Sequence, residues 1–307
     1  MHLEKAGLFK QIWHFVLHLR WHYQLFILSG GFLLGGFLSD DLTVIPFVIQ
    51  FLNVHLLLFG GATAYNSFWD KDEGPIGGLK HPPKMRPWMW PASLILQFIG
   101  LGIAMGEGIL FATIYILSMF FFWLYSTPLA RWKSHPTKSL VAIGVSTGLN
   151  SVLLGYLAAG NSLLSLWVFV AAVGASLLLL SLYPISQIYQ LDEDRKRGDQ
   201  TFVVRYGRKG VGRFFIGGFS IGLTLVTLAM GQSHLRLSVL FGLVGLLILI
   251  VGQSIVRSLG STQADYSKVM RIKYGTSLCF VCFLIAGIVL KHLRIDGISW
   301  VAKLLLE

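Results

Sequence analysis

Charge is scarce in this sequence: 13% of its 307 residues are Asp, Glu, Lys or Arg, and only 14 are acidic. A soluble domain of this length carries about a quarter charged residues, so a water-facing globular fold is excluded. Cysteine is nearly absent. Cys279 and Cys282 are the only two and lie in one apolar stretch, which excludes a disulfide framework and argues for packing over a redox or zinc role. Long polar or low-complexity stretches are also missing, so residues 1–307 read as a single domain. The first twenty residues lack the unbroken apolar core of a removable signal peptide, and the first apolar segment is expected to stay.

What the chain has in quantity is apolar sequence, 54% of the residues, with a mean hydropathy of +0.68. A helix crossing roughly 30 Å of hydrocarbon needs about 20 such residues. Nine windows qualify, near 23–38, 43–68, 89–106, 108–127, 139–159, 163–189, 211–231, 235–256 and 274–291. The expected fold class is all-α, a polytopic membrane protein with nine transmembrane helices and membrane lipid as its surroundings. The net charge of +11 does not indicate nucleic acid, because the basic residues sit between the apolar segments and not on one soluble face. With the N-terminus on the cytoplasmic side, 21 of the 25 Lys and Arg residues, Lys273 among them, fall on that side. The expected location is a bacterial inner membrane with the N-terminus inside.

The connections differ in character. The outer ones are short and nearly uncharged, whereas two inner connections, about 66–88 and 186–210, are long and open with acids. Asn66 and Asp70 are four apart, on one face of a helix end, with Asp72 and Glu73 beyond. Gln190 and Asp194 repeat that spacing, near Asp192, Glu193 and Asp199. The recurrence of the acidic loops after the second and sixth helices suggests two related four-helix halves plus a ninth helix. Hard oxygen ligands at a membrane surface suit Mg²⁺, which binds through one or two carboxylates plus substrate phosphates. Two such clusters facing each other can hold a diphosphate, with Lys71, Lys80, Arg86, Arg131, Lys133, Arg195 and Arg197 as candidate cations on the same side.

With these residues in view, the chain resembles the UbiA-type intramembrane prenyltransferases, which pair two Asp-rich loops after the second and sixth of nine helices. Asn66 and Asp70 match the first motif, an Asn followed by Asp at four and eight positions; Gly74 stands at position eight, leaving that role to Asp72 or Glu73. In the second motif Asp194 and Gly198 match, while Gln190 replaces the first Asp and leaves Asp192 or Glu193 to compensate. The run YSTPLARWK, residues 125–133, is similar to the family's Tyr-Ser-x-Pro-x-x-Arg-x-Lys, which implies diphosphate contact through Arg131 and Lys133. Arg20 resembles a basic position near the phosphates. The resemblance implies Mg²⁺-dependent transfer of an isoprenyl group from its diphosphate to a lipophilic, aromatic acceptor of the quinone-precursor type. Asn66, Asp70 and Asp194 would be catalytic, and the metal ligands would come from Asn66, Asp70, Asp72, Glu73, Gln190, Asp192 and Asp194. Lys71, Lys80, Arg131, Lys133, Arg20 and Arg195 would hold the diphosphate. An isoprenoid cyclase on the same scaffold and a secondary transporter are the competing readings.

Other signals read as structural. His14, His18 and His22 recur every four residues, in an amphipathic lead-in helix with Trp13 and Trp21. Gly31 and Gly35 permit close helix approach, within one bundle or between two chains. His55 and Asn150 are polar residues in apolar windows, open to an acceptor pocket or to interhelical hydrogen bonds.

Overall fold

The computed structural model describes residues 7–71, 73–260, 263–292 and 305. A surface helix α1, Leu8–Leu19, ends where Arg20 turns left-handed at φ 51°. Residues 21–38 form α2, helical in three pieces: Trp21–Tyr23, a π-helical Gln24–Leu28, and Gly30–Leu38 after a break at Ser29. Then follow α3 (Val44–Asp70), α4 (Met89–Glu107), α5 (Ile109–Ser126), α6 (Pro136–Ala158) and α7 (Leu166–Gln187). A short α8, Leu191–Arg197, precedes α9 (Phe202–Gly231), α10 (Leu235–Ser258) and α11 (Tyr266–His292). Eight of these, α3 to α7 and α9 to α11, are long and apolar enough to cross a membrane. The first expected span is present as α2, but its break leaves eight helices of spanning length among the described residues where nine were expected, and α9 is itself kinked at Gly207, φ 61° and ψ −178°.

The chain is an integral membrane protein, and its surface shows it. Ile95, Phe98 and Ile99 on α4 and Leu243, Leu247 and Ile250 on α10 face outward, an apolar surface that only lipid or another apolar partner covers at low cost. Hydrocarbon requires backbone polar groups to bond within their own segment, and helices meet that requirement. Among the described residues there is no strand, only a bridge between Ile76 and Leu79 in the connection after α3. Burial identifies the centre: 67% of the apolar window of α6 is buried, against 22% of that of α10.

The contact of α2 with α6 sets the geometry around that centre. A Cβ on Gly35 would strike the Val152 carbonyl, and one on Gly155 the Phe32 carbonyl, so both glycines are needed for the backbones to meet. The small-residue spacing of α2 therefore serves packing inside the bundle. Polar residues in the helices mostly bond within or between helices. Asn150 Nδ2 donates to Ser118 Oγ at 2.9 Å, and Asn53 Nδ2 to the Gly100 carbonyl at 2.9 Å. His55 Nδ1 lies 2.6 Å from the Phe51 carbonyl. Neither Asn150 nor His55 lines a cavity described below.

The expected histidine stripe is interrupted, because the left-handed Arg20 separates His18 from His22. Each instead ties down the connection after α3: His18 Nε2 is 2.7 Å from the Pro83 carbonyl and His22 Nε2 is 3.0 Å from the Gly78 carbonyl. Trp88 Nε1 adds a bond to Gln11 Oε1 at 3.0 Å. Leu8, Phe9, Ile12 and Trp13 remain exposed on α1, as a helix lying at a membrane surface requires. Cys279 and Cys282 are free thiols on the exposed side of α11.

Substituting Gly155→Ala is expected to destabilise the protein by about 1–3 kcal/mol through overpacking, seen as a lower thermal unfolding midpoint in detergent. Gly102→Ala, at a position with open space around it, should leave the midpoint unchanged or raise it.

Candidate active site

Three segments converge at one end of the bundle. The last turn of α3 supplies Asn66 and Asp70, whose spacing lets Asn66 Nδ2 donate to Asp70 Oδ2 at 2.9 Å. Ser126, at the end of α5, donates to Asn66 Oδ1 at 2.9 Å and fixes the amide's orientation. After α5, the chain turns through Arg131, left-handed at φ 41°, into a short 3-10 turn, Trp132–Ser134, that directs Lys133 inward. Lys133 is buried, and its Nζ contacts Asp70 Oδ1.

The third segment is α8. Its N-cap is Gln190, and its inward face carries Leu191 and Asp194 three apart, both buried. Gly198 ends it in a left-handed turn at φ 74°, which folds the chain back so that the Asp199 N–H donates to the Asp194 carbonyl at 2.9 Å. Asp194 accepts from Arg197 Nη2 at 2.8 Å and from Thr201 Oγ1 at 2.9 Å. Asp199 is gripped by both arms of Arg131, at 3.2 and 3.0 Å, and by Arg197 Nε at 3.2 Å.

Three carboxylates thus lie among three cations. Burial raises the Asp194 pKa above the usual carboxylate range; the Thr201 bond and the Arg197 charge oppose the shift, and Asp199 adds to it. Burial, followed by the Arg197 charge, lowers the Lys133 pKa, with Asp199 and Asp194 opposing. Direct contact with Asp70 further favours the ammonium form.

Two adjoining cavities meet here. The smaller, about 80 Å³, is polar and is lined by Asp70, Lys133, Gln190, Asp194, Arg197 and Asp199 among others. The larger, about 280 Å³, shares Asp70 and Gln190 with it, takes in Arg20 and Asn66, and runs between apolar walls to Phe219, Phe241 and Leu284. Tyr125 and Tyr183 line both cavities, with their hydroxyls 2.9 Å apart. The two π-helical segments of α2 and α6 contribute Gln24, Ile27 and Thr147 to the larger wall. Irregular turns of this kind are common at functional sites.

The structure brings together Asn66, Asp70, Gln190, Asp194, Lys133 and Arg20. Arg20 donates to the carbonyls of Thr63 and Gly77, each at 3.2 Å. Arg131 reaches the site through Asp199 and lines neither cavity. The expectations for the remaining residues need correction. Lys71 caps α3 in an exposed left-handed turn, Glu73 and Lys80 are exposed in the connection beyond it, and none of the three lines a cavity. Asp192 and Arg195 are exposed as well, because Leu191 and Asp194 occupy the inward face of the short α8. Asp72 lies outside the described residues. No cluster of three or more His, Cys, Asp or Glu able to hold a metal occurs among the described residues. The donor set nevertheless suits Mg²⁺, which needs few protein ligands beside phosphate. Carboxylate and amide oxygens of Asp70, Asp194, Asn66 and Gln190 line the joined cavities, and Lys133 and Arg197 already hold positive charge against the two carboxylates.

Sequence reasoning placed Lys273 in a loop, because the last apolar window began at 274. In fact α11 starts at Tyr266, and Lys273 is a buried side chain of the larger cavity. Tyr23, Tyr183 and Thr201 were also missed; nothing in their local pattern sets them apart from packing residues.

The family model of the UbiA prenyltransferase family matches residues 25–275. The chain belongs to that family. Among solved structures it is similar to the UbiA homologue from Archaeoglobus fulgidus bound to GPP and Mg²⁺, with TM-score 0.68 and 16% identity, covering 90% of this chain and 99% of that one. It is also similar to the apo UbiA homologue from Aeropyrum pernix K1, with TM-score 0.60 and 18% identity over 89% and 98% of the two chains. A structure reported for digeranylgeranylglyceryl phosphate synthase in membranes gives TM-score 0.63 and 17% identity over 91% and 99%. No curated protein matches the chain. At these identities the structural likeness establishes the UbiA fold, and family membership rests on the family model.

Asp199→Ala removes the carboxylate gripped by Arg131 and one of the two that Arg197 bonds, both arginines being about three-quarters withdrawn from solvent. It is expected to cost about 1–3 kcal/mol, read as a lower thermal midpoint, and to disorder the 131–133 turn in hydrogen exchange.

Proposed function

We propose that this UbiA-family protein catalyses Mg²⁺-dependent transfer of an isoprenyl group from an isoprenyl diphosphate to a lipophilic acceptor of the aromatic, quinone-precursor type, releasing diphosphate. The observation that carries the reading is the sharing of walls: Asp70 and Gln190 belong both to a polar cavity full of opposed charges and to a long apolar one. An isoprenyl diphosphate has that division, a compact polyanion on an apolar chain. The GPP- and Mg²⁺-bound homologue supports the same substrate class.

Breaking the allylic carbon–oxygen bond puts negative charge on the departing diphosphate and positive charge on the prenyl carbon. Bound Mg²⁺, held by Asp70 and Asp194 with Asn66 and Gln190, supplies the Lewis acidity that stabilises the leaving group. Lys133 and Arg197, which stand against Asp70 and Asp194, would donate to the oxygens of the same diphosphate from a prearranged site. The apolar walls keep water from the prenyl cation. Tyr125 and Tyr183, at the junction of the cavities, offer aromatic faces to that cation.

The distribution of lysine and arginine supports placing the N-terminus and the acidic segments on the cytoplasmic side of a bacterial inner membrane, with residues 1–307 acting as one domain. Of the expected metal ligands among the described residues, Asp70 and Asp194 are the carboxylates lining the cavities, and the proposal rests on them.

Purified protein incubated with isoprenyl diphosphates of increasing length, candidate acceptors and Mg²⁺ should release diphosphate only when an acceptor is present. Release without any acceptor would identify a cyclase instead. Asp70→Ala and Asp194→Ala should each lower turnover at least about 100-fold with normal membrane insertion; full activity in both overturns the metal assignment.

A further inference from the structure

Three arginines stand outside both cavities at the end of the bundle where the acids cluster: Arg213 on α9, Arg257 on α10 and Arg271 on α11. All three are exposed, and no carboxylate among the described residues pairs with them. Lys268, in contrast, lies 3.5 Å from Asp265. Basic residues that only orient a chain in the membrane need no common position. These have one. A Cβ on Gly212 would touch Val256 at 3.9 Å, so the next residues, Arg213 and Arg257, stand at nearly one height. A Cβ on Gly252 would meet Ile272 at 3.4 Å, which puts Arg271 about 6 Å deeper on the third helix. Arg208 Nη1, donating to the Leu259 carbonyl at 2.7 Å, holds α9 against the end of α10.

Depth along the helices gives the arginines a second shared property. No charged residue falls between Arg213 and Gly231 on α9, or between Arg236 and Arg257 on α10. By helical rise these runs are roughly 27 and 32 Å long, close to the hydrocarbon thickness of a bilayer. Arg213 and Arg257 therefore fall at the level of lipid phosphates. Deeper in, the outward faces are apolar, with Ile221 and Leu228 on α9 and Leu243, Leu247 and Ile250 on α10. One turn beneath Arg213 and Arg271 the outward positions are Gly217 and Gly275, each with open space where a side chain would stand. An arginine above a notch in an apolar face is complementary to a phosphodiester above an acyl chain, and the guanidinium fork suits phosphate oxygens.

We propose that Arg213, Arg257 and Arg271 bind the headgroup of an anionic phospholipid, whose acyl chains lie over the notches at Gly217 and Gly275. The three arginines line neither cavity, so the proposal stands apart from the transferase reading. Binding of dioleoylphosphatidylglycerol and of dioleoylphosphatidylcholine, alike in chains and different in charge, is measured by native mass spectrometry on the full chain released from a neutral detergent. Glycerol 3-phosphate serves as a soluble anion without chains.

The parent should prefer phosphatidylglycerol, and the triple variant Arg213→Gln, Arg257→Gln and Arg271→Gln should lower that preference at least about tenfold. Because the ratio of the two lipids is taken within one sample, a partly unfolded fraction cancels. Lysine at the same three positions, which keeps the charge, should keep the preference. An equal loss of charge through Lys10→Gln, Lys84→Gln and Lys138→Gln, all exposed elsewhere, should leave it unchanged. Gly217→Leu with Gly275→Leu should weaken binding of both lipids. An equal preference in the parent and the arginine variant overturns the proposal, as does the same fall in the lysine-to-glutamine control, which would assign the effect to general surface charge. Displacement of phosphatidylglycerol by an equal concentration of glycerol 3-phosphate would assign the arginines to a soluble anion and overturn it too. Undiminished lipid binding with both notches filled overturns the seat for the chains.

Discussion

The burial of carboxylates at one end of an apolar bundle is the constraint on which the rest of the site depends. Asp70, Asp194 and Asp199 are each withdrawn from solvent, and a buried carboxylate is tolerated only with a cation and hydrogen bonds against it. That requirement accounts for the left-handed Arg131 that swings Lys133 inward, for the turn at Gly198 that brings Asp199 under Asp194, and for the double grip of Arg131 on Asp199. Local backbone irregularities at Arg131 and Gly198 are therefore the means by which charge is matched to charge.

The same neutralisation explains how such a site can stand beside a lipid-facing fold. The cluster is close to neutral as a whole, so its field is short-ranged, and the apolar cavity begins directly at Asp70 and Gln190. A diphosphate with its metal ions would carry both signs of charge, matching the ion pairs that line the polar cavity. Lys273 is the contrast, since it carries a buried charge whose partners are a hydroxyl and a ring. An apolar bundle retains such a group at a cost to stability.

Much of this was legible in the amino-acid order. Apolar windows identified an all-helical membrane protein because the bilayer demands long uncharged stretches, and Asn66, Asp70 and Asp194 stood out because polar oxygens at helical spacing beside an apolar run are costly without a role. The windows erred where charge and helix coexist. The helix α11 begins at Tyr266, earlier than hydropathy marked, because basic side chains on a helix end reach toward water without ending the helix. Lys273 was misplaced for that reason.

Composition and spacing, then, determined that this chain lies in a bilayer as helices and carries two oxygen-rich segments suited to a divalent ion, since both properties depend on residue type and local periodicity alone. Tertiary structure decided which acids and bases belong to the site. It turned Asp192, Arg195, Lys71 and Lys80 outward, joined Asp70 to Lys133 and Arg131 to Asp199, and set Lys273 beside Tyr23, 250 residues away in the chain. Those choices depend on which helix faces meet, and facing is a relation between distant segments that no local pattern encodes.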